Sequence, residues 1–225
     1  MPAAAIAGGR VFAGPQSLQL KVTASPSKAS AQHLTLRLHI DYESTNGQRI
    51  MNVTKQILIV PPPGLTFNVH GAQQCSYNAL VKGGVNACPK GSIVGSGSAV
   101  IDVRPLVPPT LTIPITLYNM TRGPRGSQNA LLFYAGEFIF FDIFTNRNRQ
   151  TLAYNESPPP AHSVLVYTLK TVNLSVHDSS TGESFISAPP TCNRVWRFAL
   201  RIAAYPLNGT KLPAIQATDN VACRR

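Results

Sequence analysis

His33-Leu34-Thr35-Leu36-Arg37-Leu38-His39-Ile40-Asp41-Tyr42 decides the fold class. Successive side chains of an extended strand point to opposite faces, so Leu34, Leu36, Leu38, Ile40 and Tyr42 share one apolar face. Thr35, Arg37, His39 and Asp41 share the other with His33, and that face meets solvent. A helix would scatter this set, because its apolar positions recur at intervals of three and four.

The same reading extends outward in both directions. Ser17-Leu18-Gln19-Leu20-Lys21-Val22-Thr23 alternates and stops at Pro26. Asn46-Gly47 predicts a hairpin turn leading into a strand over 50–60, and Pro61-Pro62-Pro63-Gly64 ends that strand because proline has no N–H for a ladder. Strands are predicted over 92–104 and over 110–118. Pro114 lies inside the latter, which implies an edge strand or a bulge. The segment 130–145 is rich in aromatic and β-branched residues and predicts buried strands broken near Gly136. Residues 162–177 read as one long strand or a pair, followed by a tight turn at Ser179-Ser180-Thr181-Gly182. In Arg194-Val195-Trp196-Arg197-Phe198-Ala199-Leu200-Arg201-Ile202, Trp196, Phe198, Leu200 and Ile202 face inward and the arginines outward. Strand after strand with proline or glycine punctuation predicts an all-β fold with little helix: an antiparallel β-sandwich, Ig-like or jelly-roll-like. A flexible segment over 1–16 precedes it. The sandwich over 17–225 is expected as one unit or as two packed β subdomains, 17–120 and 121–225.

Composition narrows the setting. The 225 residues are 44% hydrophobic, enough for a sizeable core, but only 13% are charged. The polar surface is therefore built largely from Ser, Thr, Asn and Gln. Lysine and arginine number 20 against 9 acidic residues, for a net charge of +11. That field favours anionic partners such as an acidic cell-surface polymer or glycan. The bases are scattered, with small groups at Arg122/Arg125, Arg147/Arg149, Arg194/Arg197/Arg201 and Arg224-Arg225, and aromatic residues do not interleave with them. That pattern argues against a nucleic-acid interface. No apolar run is long enough for a membrane-spanning helix. The first residues lack the basic region of an export signal, although Ala3-Ala4-Ala5 resembles what flanks a cleavage site.

Cys75, Cys88, Cys192 and Cys223 allow three pairings. Sequence neighbours favour Cys75 with Cys88 and Cys192 with Cys223, and free thiols are the alternative. Neither pair has the spacing of a zinc or thiol-redox motif. Two disulfides imply an oxidising compartment, so the chain is expected to be secreted or held in the cell envelope.

Other candidate chemistry is sparse, and no catalytic residue, metal ligand or cofactor is expected. Gly91-Ser92-Ile93-Val94-Gly95-Ser96-Gly97-Ser98 lacks the Gly-Lys-Ser/Thr end of a phosphate loop and the helix that must follow. Small residues there fit a strand that packs closely or bulges. Gly95-Ser96-Gly97 is too short for a nucleophile elbow. His33 and His39 lie about 20 Å apart on one strand, too far to share an ion. Asp41, Glu43, Glu137 and Asp142 are the carboxylates a glycosidase would draw on, but none sits in a recognisable context, and Glu137 and Asp142 fall on opposite faces of a continuous strand. Five Asn-x-Ser/Thr sites, at Asn52, Asn119, Asn155, Asn173 and Asn208, are a modest excess over chance and are read as silent.

The stretch from Pro61 to Ala99, a cassette of turn residues, two cysteines and a glycine-serine string, carries a resemblance. Pro63-Gly64-Leu65-Thr66-Phe67, Cys75-Ser76, Cys88-Pro89-Lys90-Gly91-Ser92 and Gly95-Ser96-Gly97-Ser98-Ala99, with Thr191-Cys192 before Trp196-Arg197-Phe198, resemble a group of uncharacterised secreted actinobacterial proteins. Asn193 departs from the group, which has proline after that cysteine. The resemblance implies an exported β-sandwich and brings no activity with it. The expected function is a non-enzymatic structural or binding module at the cell envelope. An envelope hydrolase and a jelly-roll coat or assembly subunit are the alternatives.

Overall fold

A computed structural model describes residues 8–45, 54–104, 108–122, 128–134, 140–145, 152–155, 168–204 and 212–225. The expected hairpin at Asn46-Gly47, the break at Gly136 and the glycosylation sites Asn52 and Asn208 lie outside them. Among the described residues fourteen strands and one short α-helix form: β1 Val11–Ala13, β2 Gln16–Ser25, β3 Thr35–Ser44, β4 Thr54–Val60, β5 Thr66–Phe67, α1 Tyr77–Gly83, β6 Ile93–Asp102, β7 Thr110–Arg122, β8 Gln128–Tyr134, β9 Phe140–Thr145, β10 Leu152–Asn155, β11 Thr168–Val176, β12 Ile186–Ser187, β13 Val195–Ala204 and β14 Ile215–Ala222. Twelve strands make one antiparallel sheet in the order β1-β2-β3-β11-β6-β7-β8-β9-β10-β4-β13-β14, and β5 and β12 pair separately.

The sheet is an open β-sandwich rather than a closed barrel. Its inner faces meet in one core that joins Leu18, Leu36, Leu38 and Ile40 to Trp196, Phe198, Leu200 and Ile215. The alternation in the opening stretch holds along β3, whose pattern is buried at Leu36, Leu38, Ile40 and Tyr42 and open at Arg37 and Glu43. On β13 the inward set Trp196, Phe198, Leu200 and Ile202 is buried as expected.

One expectation changes, and two observations bear on the unit boundaries. Val11–Ala13 adds a strand to β2, and Arg10 reaches Asp41 at 2.6 Å and Glu43 at 3.1 Å. β3 and β4 do not form a hairpin: β3 pairs with β2 and β11, and β4 with β10 and β13. Turn chemistry promotes a local reversal, but burial decides which ladder the strand joins. The halves 17–120 and 121–225 also interleave, with β11 inserted between β3 and β6 and β4 between β10 and β13.

Pro114 lies in β7 opposite Ser98 of β6. The ladder of β7 with β8 begins at Thr116, while the ladder with β6 runs past Pro114. The bulge falls instead opposite, between Ile93 and Gly95 of β6.

The two ends of the sheet meet at a parallel seam. β14 runs beside β2 at a near-constant sequence offset. Gln16 Nε2 donates to the Pro213 carbonyl, the Val22 N–H to the Asp219 carboxylate, and the Arg224 N–H to the Ser27 carbonyl. No ladder joins β2 to β14: side chains of Gln16 and Asp219 bond across the strands, and beyond their ends a parallel backbone bridge pairs Lys28 with Arg224. At the upper end a buried relay runs from the Tyr42 hydroxyl to Gln16 Oε1 and on to Pro213, and burial pushes the Tyr42 phenol well above its ordinary pKa.

The cassette wraps the end of β7. β4 stops at Val60, the chain turns through Leu65 N–H to the Pro62 carbonyl, and Phe67 packs on Phe185 at 5.8 Å between ring centres. Cys75 then takes the place beside β7 that β6 vacates. Its N–H donates to the Asn119 carbonyl, and its own carbonyl accepts from Thr121. Ser76 caps α1 by accepting from the Ala79 N–H at 3.1 Å. Tyr118 and Met120 are buried under Cys75, Leu80 and Cys88.

Asn119 is the pin of this arrangement. It is fully buried, and its side-chain amide donates toward the carbonyls of Val69, Ala72 and Gln73 at 2.9, 3.2 and 3.1 Å. An isolated loop cannot satisfy those carbonyls in the interior, and each buried orphan costs about 1–3 kcal/mol. Asn119→Ala is therefore expected to lower stability by about 2–4 kcal/mol. Equal denaturation midpoints for the variant and the parent would refute this role. The glycosylation motif at Asn119 is structural for the same reason, since a fully buried amide is closed to modification once folded.

Candidate anion-binding site

Cys192 and Cys223 are bonded, as are Cys75 and Cys88, and no cysteine is free. Both pairings follow the sequence-neighbour reading. The spans closed are 13 and 31 residues, for which chain entropy predicts about 3 and about 3.7 kcal/mol of stabilisation. Two such bonds indicate an oxidising, extracytoplasmic environment.

The second cystine does more than close a loop. It ties the chain entering β13 to the chain leaving β14, and the Cys223 N–H donates to the Arg194 carbonyl at 2.9 Å. Arg194 is held at φ +71°, a left-handed conformation uncommon outside glycine. The result is an open cavity of about 430 Å³ lined by Cys192, Asn193, Arg194, Cys223, Arg224 and Arg225. Two arginine groups thirty residues apart in sequence thus become neighbours.

The basic surface continues along the outer face of β13. Arg197 and Arg201 are exposed there, about 13 Å apart by strand rise, and stand opposite Asn220 and Gln216 of β14. Val60 and Val195 are exposed apolar residues of the same face.

Among the described residues no side-chain carboxylate forms an ion pair with these arginines. Asp41 and Glu43 are held by Arg10, and Asp102 by Arg104. Asp178 bonds His33 at 2.6 Å and accepts from the Phe185 N–H. Asp219 accepts from the Val22 and Asn220 N–H groups. The Glu183 carboxyl accepts from the Ser179 and Thr181 hydroxyls, which hold its pKa below the usual glutamate value. These bonds also lock the turn at Ser179–Gly182, where the Gly182 N–H donates to the Ser179 carbonyl.

The remaining sequence candidates are dispersed. His33 and His39 have separate partners, Asp178 and Asn173. Among the described residues no group of three metal-ligating side chains occurs. Glu137 lies outside the described residues. Asp142 sits in β9 opposite Leu132. The glycine string makes no phosphate cradle. Gly95 and Gly97 lie within β6, and a Cβ on either would strike the Ser175 or Asn173 carbonyl of β11 at 2.5 or 2.0 Å. This is the close strand packing that the small residues implied.

Fold and bonds together define a disulfide-stapled antiparallel β-sandwich with an arginine surface beside one staple that takes part in no ion pair among the described residues. No protein-family model, curated protein or solved structure matches the chain.

Proposed function

We propose that the protein is an exported, non-enzymatic binding module of the cell envelope whose ligand is an acidic polymer. The observation that carries this reading is the convergence of Arg194, Arg224 and Arg225 on one open cavity, continued by Arg197 and Arg201, while the side chains of Asp41, Glu43, Asp102, Asp178, Glu183 and Asp219 are engaged elsewhere. Guanidinium forks bind carboxylate and phosphate groups in bidentate fashion, and their spacing along a strand suits a ligand with repeated charges. The two cystines and the resemblance of the cassette to secreted actinobacterial proteins support export.

Retention on immobilised polyphosphate, eluted with salt, tests the site. Arg194→Gly is the informative change because glycine adopts the left-handed backbone freely and removes only the charge. Arg194→Gly combined with Arg224→Ala is expected to elute at distinctly lower salt with an unchanged melting temperature. Elution at the parental salt concentration would overturn the reading.

A further inference from the structure

A second basic surface lies on the outer face of the other layer. Strand register places residues of β2, β3, β11 and β6 in rows across the sheet. Thr23, Arg37, Ser175 and Ser96 make one row, and Lys21, His39, Asn173 and Ser98 make the next. Lys21 and Arg37 are therefore diagonal neighbours, about 7–8 Å apart at Cβ. Both are exposed, and neither takes part in an ion pair among the described residues. Asp41, the nearest carboxylate along β3, is turned to Arg10 and to the Thr171 hydroxyl.

These rows border an open groove of about 320 Å³. It exists because Ser96 and Ser175 in the middle of the face are small, with only the backbone of Gly97 beside them, while Lys21, Arg37 and His39 are long. The accessible surface in the groove is mostly carbon, and its rim is polar. His39 Nδ1 and Asn173 Oδ1 bond at 2.7 Å, which fixes the imidazole on the rim.

We propose that this groove binds an acidic sugar unit, a uronate-type pyranose within a polymer, independently of the arginine cavity. Each part of the groove answers to part of that ligand. A pyranose ring has a C–H face that suits a carbon floor, hydroxyls that need both donors and acceptors, and one carboxylate that needs a cation. Ser96, Ser175 and Asn173 supply donors and acceptors, and Lys21 and Arg37 supply the charge. Inorganic phosphate has no apolar face to use the floor. A nucleic acid would call for stacking aromatics, and none of the groove residues carries more than an imidazole. With the arginine cavity on the other layer, the module then presents two anion-binding faces and bridges polymer chains.

The test uses the full chain and a tetramer of galacturonic acid, with amide chemical shifts as the readout. Shifts are expected at Ser96, Asn173 and Ser175. Lys21→Ala with Arg37→Ala is expected to weaken tetramer binding about tenfold or more. Ser96→Tyr, which fills the groove and leaves the cations in place, is expected to weaken it comparably. Arg194→Gly with Arg224→Ala leaves these shifts intact, so failure of the arginine site and failure of this one are separately visible. The proposal falls if shifts are confined to the residues around Cys192 and Cys223. It falls equally if inorganic phosphate produces the same shifts at the same concentration, or if Ser96→Tyr binds as the parent does.

Discussion

Gly97→Ala is expected to destabilise the protein by about 3 kcal/mol or more, beyond the ordinary cost of one added methyl in a packed site. The added Cβ would lie 2.0 Å from the Asn173 carbonyl oxygen and 3.0 Å from the Leu174 Cα. Both obstacles are backbone, so no side-chain rotation relieves the clash. Relief requires β6 and β11 to part, and β11 is also the strand that joins β6 to β3. The effect thus reaches the middle of the sheet. Ser98→Ala, one residue on and partly exposed, serves as the control and is expected to change stability by less than about 0.5 kcal/mol. Denaturant titration of both variants checks the claim. A Gly97→Ala midpoint equal to that of the control would show that the strands are not so closely apposed.

Removing the second cystine is expected to have a comparable cost and a wider consequence. Cys192→Ser with Cys223→Ser should lose about 3.7 kcal/mol from chain entropy alone. The bond also stands where three segments meet. Ala29 donates to the Arg224 carbonyl, Ser30 to the Pro189 carbonyl and Cys223 to the Arg194 carbonyl. Freed from the tether, the tail no longer holds Arg224 and Arg225 beside Arg194, so polyphosphate retention should fall together with stability. Cys75→Ser with Cys88→Ser provides the contrast, with a loss of about 3 kcal/mol and retention like the parent's. Loss of retention in the first-cystine variant, or its persistence in the second-cystine variant, would show that the cystine does not organise the arginines.

The contrast between the two staples reflects how sequence and structure divide the information. Leu34 to Tyr42 and Trp196 to Ile202 reveal their inward faces in the sequence, because a period of two is a local property of an extended chain. Proline runs mark strand ends for an equally local reason, the missing N–H at Pro61 being one case. Chain proximity favours Cys75 with Cys88 and Cys192 with Cys223, since short loops cost least to close. The small residues of Gly91 to Ser98 signal close packing.

Partner choice between strands is not local, and it escapes such a reading. The Asn46-Gly47 turn chemistry points to a β3–β4 hairpin, yet the ladders of β3 go to β2 and β11. Asn119 reads as a glycosylation motif until the fold buries it under three carbonyls. Arg194 and Arg224 look like separate minor groups, and only the register of β13 on β14 with the second cystine unites them. Lys21, Arg37 and Ser96 share a groove through two ladders that no sequence spacing encodes. The sequence by itself thus determined an all-β, disulfide-bearing chain and the inward face of its strands. Tertiary structure alone decided which strands are neighbours, and therefore where positive charge collects, because burial of the shared core selects among ladders and overrides local turn chemistry.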